Sequence, residues 1–356
     1  MALTLTSDPN QGTLFRMEFL IALALFFAKA VIIVVAVGAI LILIIQAVSS
    51  GRRRRISGIE VEKLNDRHRS FRHQMQSHLL GKKDFKHLEK SEKKALKSEK
   101  DTPRASRLFV LDFDGDLRAT ATADLREEVT AILSVAKAGD EVVVKLESGG
   151  GLVTSYGLAA SQLSRLKSAG VKLTICVDKV AASGGYMMAC VADQILAAPF
   201  AVVGSIGVIA QVPNFHKVLK KNDIDYREVT AGEFKRTVTM FGEITEHGLQ
   251  KFRSQIEETH DLFKLFVNQN RPKMDISKVA TGEYWYGTQA LGLGLVDAIR
   301  TSDDYLVSHY ESADVFHVSH HGKRKFAERL SESFAKILYT VASKLWTDLD
   351  KTRYGA

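Results

Sequence analysis

Between Phe19 and Val48 the chain is apolar at almost every position, interrupted by Lys29 and Gln46. The part from Ala30 to Val48 alone reaches the ~20 residues that cross a bilayer as a helix, so a transmembrane segment is expected over 19–49, behind a tail of residues 1–18. The run is too long for the apolar core of a cleaved signal peptide, no A-x-A site follows it, and Arg52 to Arg55 come directly after it. Lys29 then lies where its long stem can reach the interface. The four arginines place the downstream chain on the cytoplasmic side by the positive-inside rule, while Arg16 and the short N-terminal flank leave the opposite orientation open.

The pattern changes after Gly51. Residues 50–104 are rich in Lys, Glu, His and Ser, with a helical texture from Glu60 to Leu80 and from Phe85 to Lys100. This reads as a basic, charged stalk whose positive side can lie on anionic headgroups. From residue 105 to 300 short apolar runs alternate with helical periods. Arg107 to Phe113, Glu141 to Glu147 and Leu173 to Val177 read as strands, and Ala123 to Ala138 and Tyr156 to Lys167 as helices. Further strands are expected over Gln194 to Ala198, Ala201 to Ile209 and Tyr226 to Thr230, and further helices over Asn214 to Lys221, Glu246 to Asn270 and Thr288 to Leu295. Near-continuous apolar strands separated by helices indicate an α/β fold, a mostly parallel sheet with helices on its faces. Residues 301–356 are read as a polar extension carrying an apolar-periodic helix at Ala327 to Trp346.

Charge and cysteine content narrow the classes. The net charge of +8 is concentrated: residues 51–104 hold 17 Lys and Arg against 8 Asp and Glu, so the remainder is close to neutral. The main domain therefore lacks the electrostatic footprint of a nucleic-acid binder, and the stalk has almost no aromatic residues for stacking on bases. Cys176 and Cys190 are the two cysteines. They make neither a disulfide framework nor a zinc site, and read as buried thiols.

The stretch most suggestive of chemistry is Val180-Ala-Ala-Ser-Gly-Gly-Tyr186, where a strand gives way to a helix and Ser183 is followed by Gly184 and Gly185. Unpaired amides at such a turn suit an oxyanion. A serine there is equally a helix N-cap, and Ala181 breaks the G-x-S-x-G elbow pattern. A serine nucleophile needs a base. His216, His247 and His260 fall singly on expected helices, none on a glycine-marked loop. Lys235, beside Phe234 and near Met240 and Phe241, is a candidate if an apolar pocket keeps it neutral; the alternative is an ordinary solvated lysine. Ser205, between Gly204 and Ile206, is either a group that fixes such an amine or a simple turn hydroxyl.

Ser148-Gly-Gly-Gly after a strand, VAASGGYMMAC, GSIGVI and AGEFKRT, in that order, resemble the signal peptide peptidase A (SppA) family of serine–lysine membrane proteases, and within it the SohB branch. The likeness covers Arg107 to Ile299. The intervals from Ser183 to Lys235 and Ser205, 52 and 22 residues, match it as well. It implies a ClpP/crotonase-like fold of repeated ββα/βαβ units, with Ser183 as nucleophile, Lys235 as general base and Ser205 orienting the lysine. Backbone amides of Gly184 and of the Gly150/Gly151 loop would form the oxyanion hole. Gly149 stands where the family loop carries proline, which makes the loop more flexible. The resemblance further implies a single-pass enzyme of the bacterial inner membrane, a ring-like homo-oligomer that completes its clefts between subunits, peptide or polypeptide substrates such as signal-peptide remnants, and no metal or organic cofactor. Two other classes compete: a crotonase-type acyl-CoA enzyme, which would not need Lys235, and a non-catalytic membrane scaffold in which Ser183 is a cap.

Overall fold

A computed structural model describes Lys29, residues 58–101 and residues 106–321. The segment expected to span the membrane, but for Lys29, and the helix expected over 327–346 lie outside the described residues. Among the described residues no helix is long and apolar enough to cross a membrane.

The described elements begin with strand β1 (Gly58–Lys63) and helices α1 (Leu64–Leu79) and α2 (Lys82–Asp101), then β2 (Ser106–Gly115), α3 (Thr122–Leu133), β3 (Glu141–Ser148), α4 (Val153–Ser168) and β4 (Lys172–Val177). There follow β5 (Val180–Ala182), α5 (Gly184–Ala189), β6 (Gln194–Ala197), β7 (Val202–Gly204), α6 (His216–Lys221), α7 (Glu246–Asn270) and α8 (Ile276–Val279). The last elements are β8 (Tyr284–Tyr286), α9 (Gly287–Gly292), β9 (Ala298–Ile299), α10 (Ser302–His309) and β10 (Ala313–His321).

One ten-stranded sheet runs β1-β10-β2-β3-β4-β6-β9, and a branch leaves it at β3, which pairs with β5 through Ser148 and Ala181 and leads on to β7 and β8. All pairings are parallel except β1 with β10 and β7 with β8. Alternation along β2 explains why these strands read as continuous apolar runs. Phe109, Leu111 and Phe113 join the main core with α3, α4 and α5, whereas Leu108 and Val110 join a second cluster with Cys176, Tyr305 and Leu306. From Leu108 to Leu111 both faces are buried, and every position there is apolar.

The sheet takes strands from segments that the sequence pattern assigned to the stalk and the C-terminal extension. Gly58 to Lys63, of which Glu60 to Lys63 were expected as the start of a helix, pairs with His321 to Phe316, and β10 continues the sheet beside β2. Asn65, at the start of α1, is buried and replaces part of the missing ladder. Its amide donates to the carbonyls of Tyr310 and Ala313 (2.9 Å each) and its Oδ1 accepts from Val315 N–H (2.7 Å). The strand expected over Tyr226 to Thr230 does not form, and the segment from Val208 to Thr245 carries the short helix α6 as its regular element.

Hydrogen bonds latch β10 to α3 and to its neighbour β2. The carboxylate of Glu128 on α3 accepts the N–H of His320 (2.8 Å), the His320 imidazole meets Asp124 (2.8 Å), and His317 meets Asp112 (2.8 Å). Burial is the largest influence on Glu128 and pushes its carboxyl from 4.5 up to about 7. Because the folded state holds this proton more tightly than the unfolded chain, its contribution is fully present below about pH 4.5 and is lost as pH rises through about 7. Glu128→Gln, which keeps the acceptor and drops the charge, is expected to be the more stable protein at pH 8.5, by up to ~3 kcal/mol, with no advantage at pH 4.5. Denaturant midpoints of the two proteins at the two pH values check this.

Candidate active site

β5 ends at Ala182, and its register beside β7 pairs Ala182 with Gly204. The next residue, Ser183, bonds its N–H to the Gly204 carbonyl (2.8 Å) and its carbonyl to the Met187 N–H (3.0 Å), so its backbone is held from both sides. It sits at φ 53° and ψ −117°, and its side chain makes no capping bond to α5. The cap reading of this serine therefore fails. Among the described residues its hydroxyl bonds to no protein group, and its backbone is in a conformation that costs of order 1–3 kcal/mol and persists only where the surroundings over-determine it. The residue is half-buried, with Ala182 and Gly184 buried on either side.

The glycine-rich loop after β3 packs directly on this turn. A Cβ on Gly150 would stand 2.6 Å from Gly184 N, 2.7 Å from Ala182 O and 2.8 Å from Ser183 Cβ, and its φ of +87° is a left-handed one. On Gly184 a Cβ would meet the Tyr156 ring at 2.4 Å. The Gly150 amide is engaged, donating to Ser148 Oγ (3.0 Å). Among the described residues the amides of Gly151 and Gly184 donate to no protein group. Both lie beyond the carboxyl ends of neighbouring parallel strands, the place where open α/β sheets bind ligands. Gly149 is exposed, with nothing within 4 Å of a Cβ built on it.

Ser205 follows β7 as Ser183 follows β5, so register sets the two serines side by side. Ser205 also has a positive φ, 51°, and its N–H bonds to Glu283 O (2.6 Å) while its hydroxyl lies 3.4 Å from Gly282 O. Lys235 stands outside this group. It is exposed on an irregular loop and lines an open cavity of about 910 Å³ with Tyr226, Val229, Val238, Met240 and Phe241, to which neither Ser183 nor Ser205 contributes. The expected company of Met240 and Phe241 is present, but within one chain the amine is not enclosed.

The remaining candidates have structural contacts. His247 pairs with Glu233 (3.4 Å) and packs on Phe234, His260 Nε2 lies 3.2 Å from Ile206 O, and His216 opens α6. Burial pushes the thiols of Cys176 and Cys190 up to about 12, so both stay protonated. Among the described residues no group of three or more His, Cys, Asp or Glu is set to hold a metal ion.

Comparison with known families now decides the relationship. Residues 18–163 match the family model described as peptidase family S49 N-terminal, and residues 165–315 match that of peptidase family S49. A probable protease SohB of Haemophilus influenzae is 58% identical over 241 residues, 67% of this chain and 68% of that protein. The chain belongs to peptidase family S49. A putative protease SohB of Buchnera aphidicola subsp. Baizongia pistaciae is 41% identical over 350 residues, 94% of this chain and 99% of its own length, which sets the chain in the SohB branch. A solved structure of the 1510-N membrane-bound stomatin-specific protease, a mutant with a substrate peptide, overlaps at a TM-score of 0.39 with 11% identity, covering 65% of this chain and 98% of that one.

The two S49 matches meet inside α4, whose N-terminal half faces the glycine loop, so the boundary between them cuts through one continuous sheet. Membership makes this protein a peptidase. Tyr156 also packs on the Ser183 turn, against Gly184, and was not singled out by the sequence. A tyrosine in the first turn of an amphipathic helix reads as core, and no sequence signal tells that its hydroxyl reaches Ser148, eight residues earlier.

Proposed function

We propose that this S49 peptidase is a membrane-anchored serine endopeptidase working through a Ser183–Lys235 dyad, with a ClpP/crotonase-like arrangement of its site. The observation that carries the reading is Ser183 itself: a strained, uncapped serine whose hydroxyl, like the amides of Gly184 and of Gly151 on the adjoining glycine loop, bonds to no protein group among the described residues. Neutral Lys235 takes the Ser183 proton as the oxygen attacks a peptide carbonyl. The oxyanion is held by the Gly184 and Gly151 amides, with Gly150 turning the loop towards them. Lys235 passes the proton to the leaving amine, and a water molecule, deprotonated by the same lysine, then hydrolyses the acyl-enzyme. Ser205 orients the amine.

A lysine acts as base only when neutral, and desolvation favours that form. The loop around Lys235 exposes Val229 almost completely, with Met240 and Phe241 also accessible. Such a surface suits cover by a neighbouring copy, so the reading includes a ring-like homo-oligomer in which each cleft takes its lysine environment from the assembly. The substrates fitting this site are peptides and unfolded or membrane-associated polypeptides, such as signal-peptide remnants, cleaved beside the bacterial inner membrane into which residues 19–49 insert once.

Mixing tests both dyad and assembly. Ser183→Ala and Lys235→Ala chains are each expected to be inactive on a fluorogenic peptide. When co-assembled, they are expected to regain about a quarter of wild-type activity if serine and lysine come from adjacent subunits, the chance that an interface pairs the two intact residues. No regain places both in one chain; cleavage by Lys235→Ala alone would overturn the dyad.

A further inference from the structure

One side chain touches the carboxyl ends of β2, β3 and β5 together, at Asp116, Ser148 and Gly184. Tyr156, fully buried on α4, donates its hydroxyl to the Asp116 carbonyl of the loop after β2 (2.7 Å). Ser148 Oγ lies 2.5 Å from the same phenol oxygen. With the phenol proton committed to Asp116, the Ser148 proton is shared between the phenol oxygen and the Gly115 carbonyl (3.3 Å), and a Ser148 lone pair accepts the Gly150 N–H (3.0 Å). The Tyr156 side chain lies against Gly184, so closely that a Cβ there would overlap its Cγ and Cδ2. The loop after β2 closes the circuit: Leu152 N–H donates to Leu117 O (2.9 Å), and Asp116 pins its own loop through the N–H groups of Arg118 (3.1 Å) and Thr120 (2.9 Å).

The geometry points to Tyr156 as a positioning residue of the peptidase reaction, which sets the oxyanion-binding amides through the chain Gly150 N–H to Ser148 to Tyr156 to the Asp116 carbonyl, and seats the Gly184 amide on its ring. Burying the Gly150 N–H on Ser148 fixes the direction of that peptide, and the following amide, Gly151, is the one left unspent. Hydrogen bonds in such a chain polarise one another, so losing one link loosens the rest. Burial raises the Tyr156 phenol above its ordinary value, so it remains a donor across the working pH range. The inference rests on the proposed serine mechanism and adds a residue to it.

The test uses the full chain in detergent or proteoliposomes with a fluorogenic peptide. Tyr156→Phe keeps the ring beneath Gly184 and removes the hydroxyl. It is expected to lower kcat roughly 10- to 100-fold with KM held within about twofold, since the lost interaction matters where the oxyanion develops. Ser148→Ala is expected to do the same, and the double variant to fall no further than the worse single one, because the two act as a unit. Hydrogen exchange in the peptide spanning residues 149–152 should quicken in both. Tyr186→Phe is the control: it removes another buried phenol bond, to Leu295 O (2.9 Å), that does not reach the glycine loop. A kcat for Tyr156→Phe within twofold of wild type, additive losses in the double variant, or an equal loss in Tyr186→Phe overturns the proposal. Full activity in Ser183→Ala would instead overturn the serine mechanism, and this inference with it.

Discussion

Ser183→Ala is expected to abolish peptide hydrolysis while leaving the fold as stable as before. The hydroxyl makes no capping bond to α5, and the contacts that hold the residue are made by its backbone, to Gly204 and Met187. Removing the oxygen therefore costs no structural bond, whereas kcat should fall on the order of 10⁴-fold or more, as for other serine nucleophiles. The strained φ of 53° adds a second expectation. Ser183→Gly relieves that strain and is expected to be inactive yet more stable than Ser183→Ala by ~1 kcal/mol. Initial rates on a fluorogenic peptide, with thermal unfolding of the same samples, measure both. Activity above about one per cent of wild type in Ser183→Ala would remove this serine from the nucleophile's place.

Gly150→Ala is expected to cost both activity and stability. Its φ of +87° disfavours any Cβ, and the new methyl would lie 2.6 to 2.8 Å from backbone atoms of Ala182 and Gly184 and from Ser183 Cβ. Backbone cannot swing aside as the end of a long side chain can, so the loop must lift from the Ser183 turn. Left-handed strain and overpacking together are expected to destabilise by ~2–4 kcal/mol. Because the Gly184 amide is among the atoms displaced, kcat should fall by about 10²- to 10³-fold, the loss typical of one oxyanion donor. Gly149→Ala, one residue away, meets nothing within 4 Å and serves as the matched control with near wild-type behaviour. Equal behaviour of the two alanine variants in unfolding and in kcat would show that the contact around Gly150 has no functional weight.

Much of the core and the site's glycine-marked turns was legible in the chain. β2, β3 and β4 are buried on both faces and so appear as apolar runs, and α7 shows the same ends, Glu246 and Asn270, that its periodicity predicts. Gly150, Gly151, Gly184 and Gly185 stand out because close approach of neighbouring atoms admits only glycine there, and that demand is written locally. β1 was not legible. GIEVEK is a six-residue, largely exposed edge strand whose partner lies more than 250 residues away, and pairing at that separation leaves no trace in either segment. The strand expected at Tyr226 failed for the converse reason: β-branched and aromatic residues favour a strand only where a ladder exists to receive them.

The sequence by itself therefore determined which segments are buried, where the chain must turn on glycine and which hydroxyl stands at the decisive turn, because burial and left-handed backbone are properties of single residues and their neighbours. The tertiary structure alone decided that β1 and β10 extend the sheet, that Tyr156 joins the carboxyl ends of β2, β3 and β5, and that Lys235 is exposed within one chain. Each of those depends on distances between residues far apart in sequence, and such distances are set when the sheet closes, with no local preference to announce them.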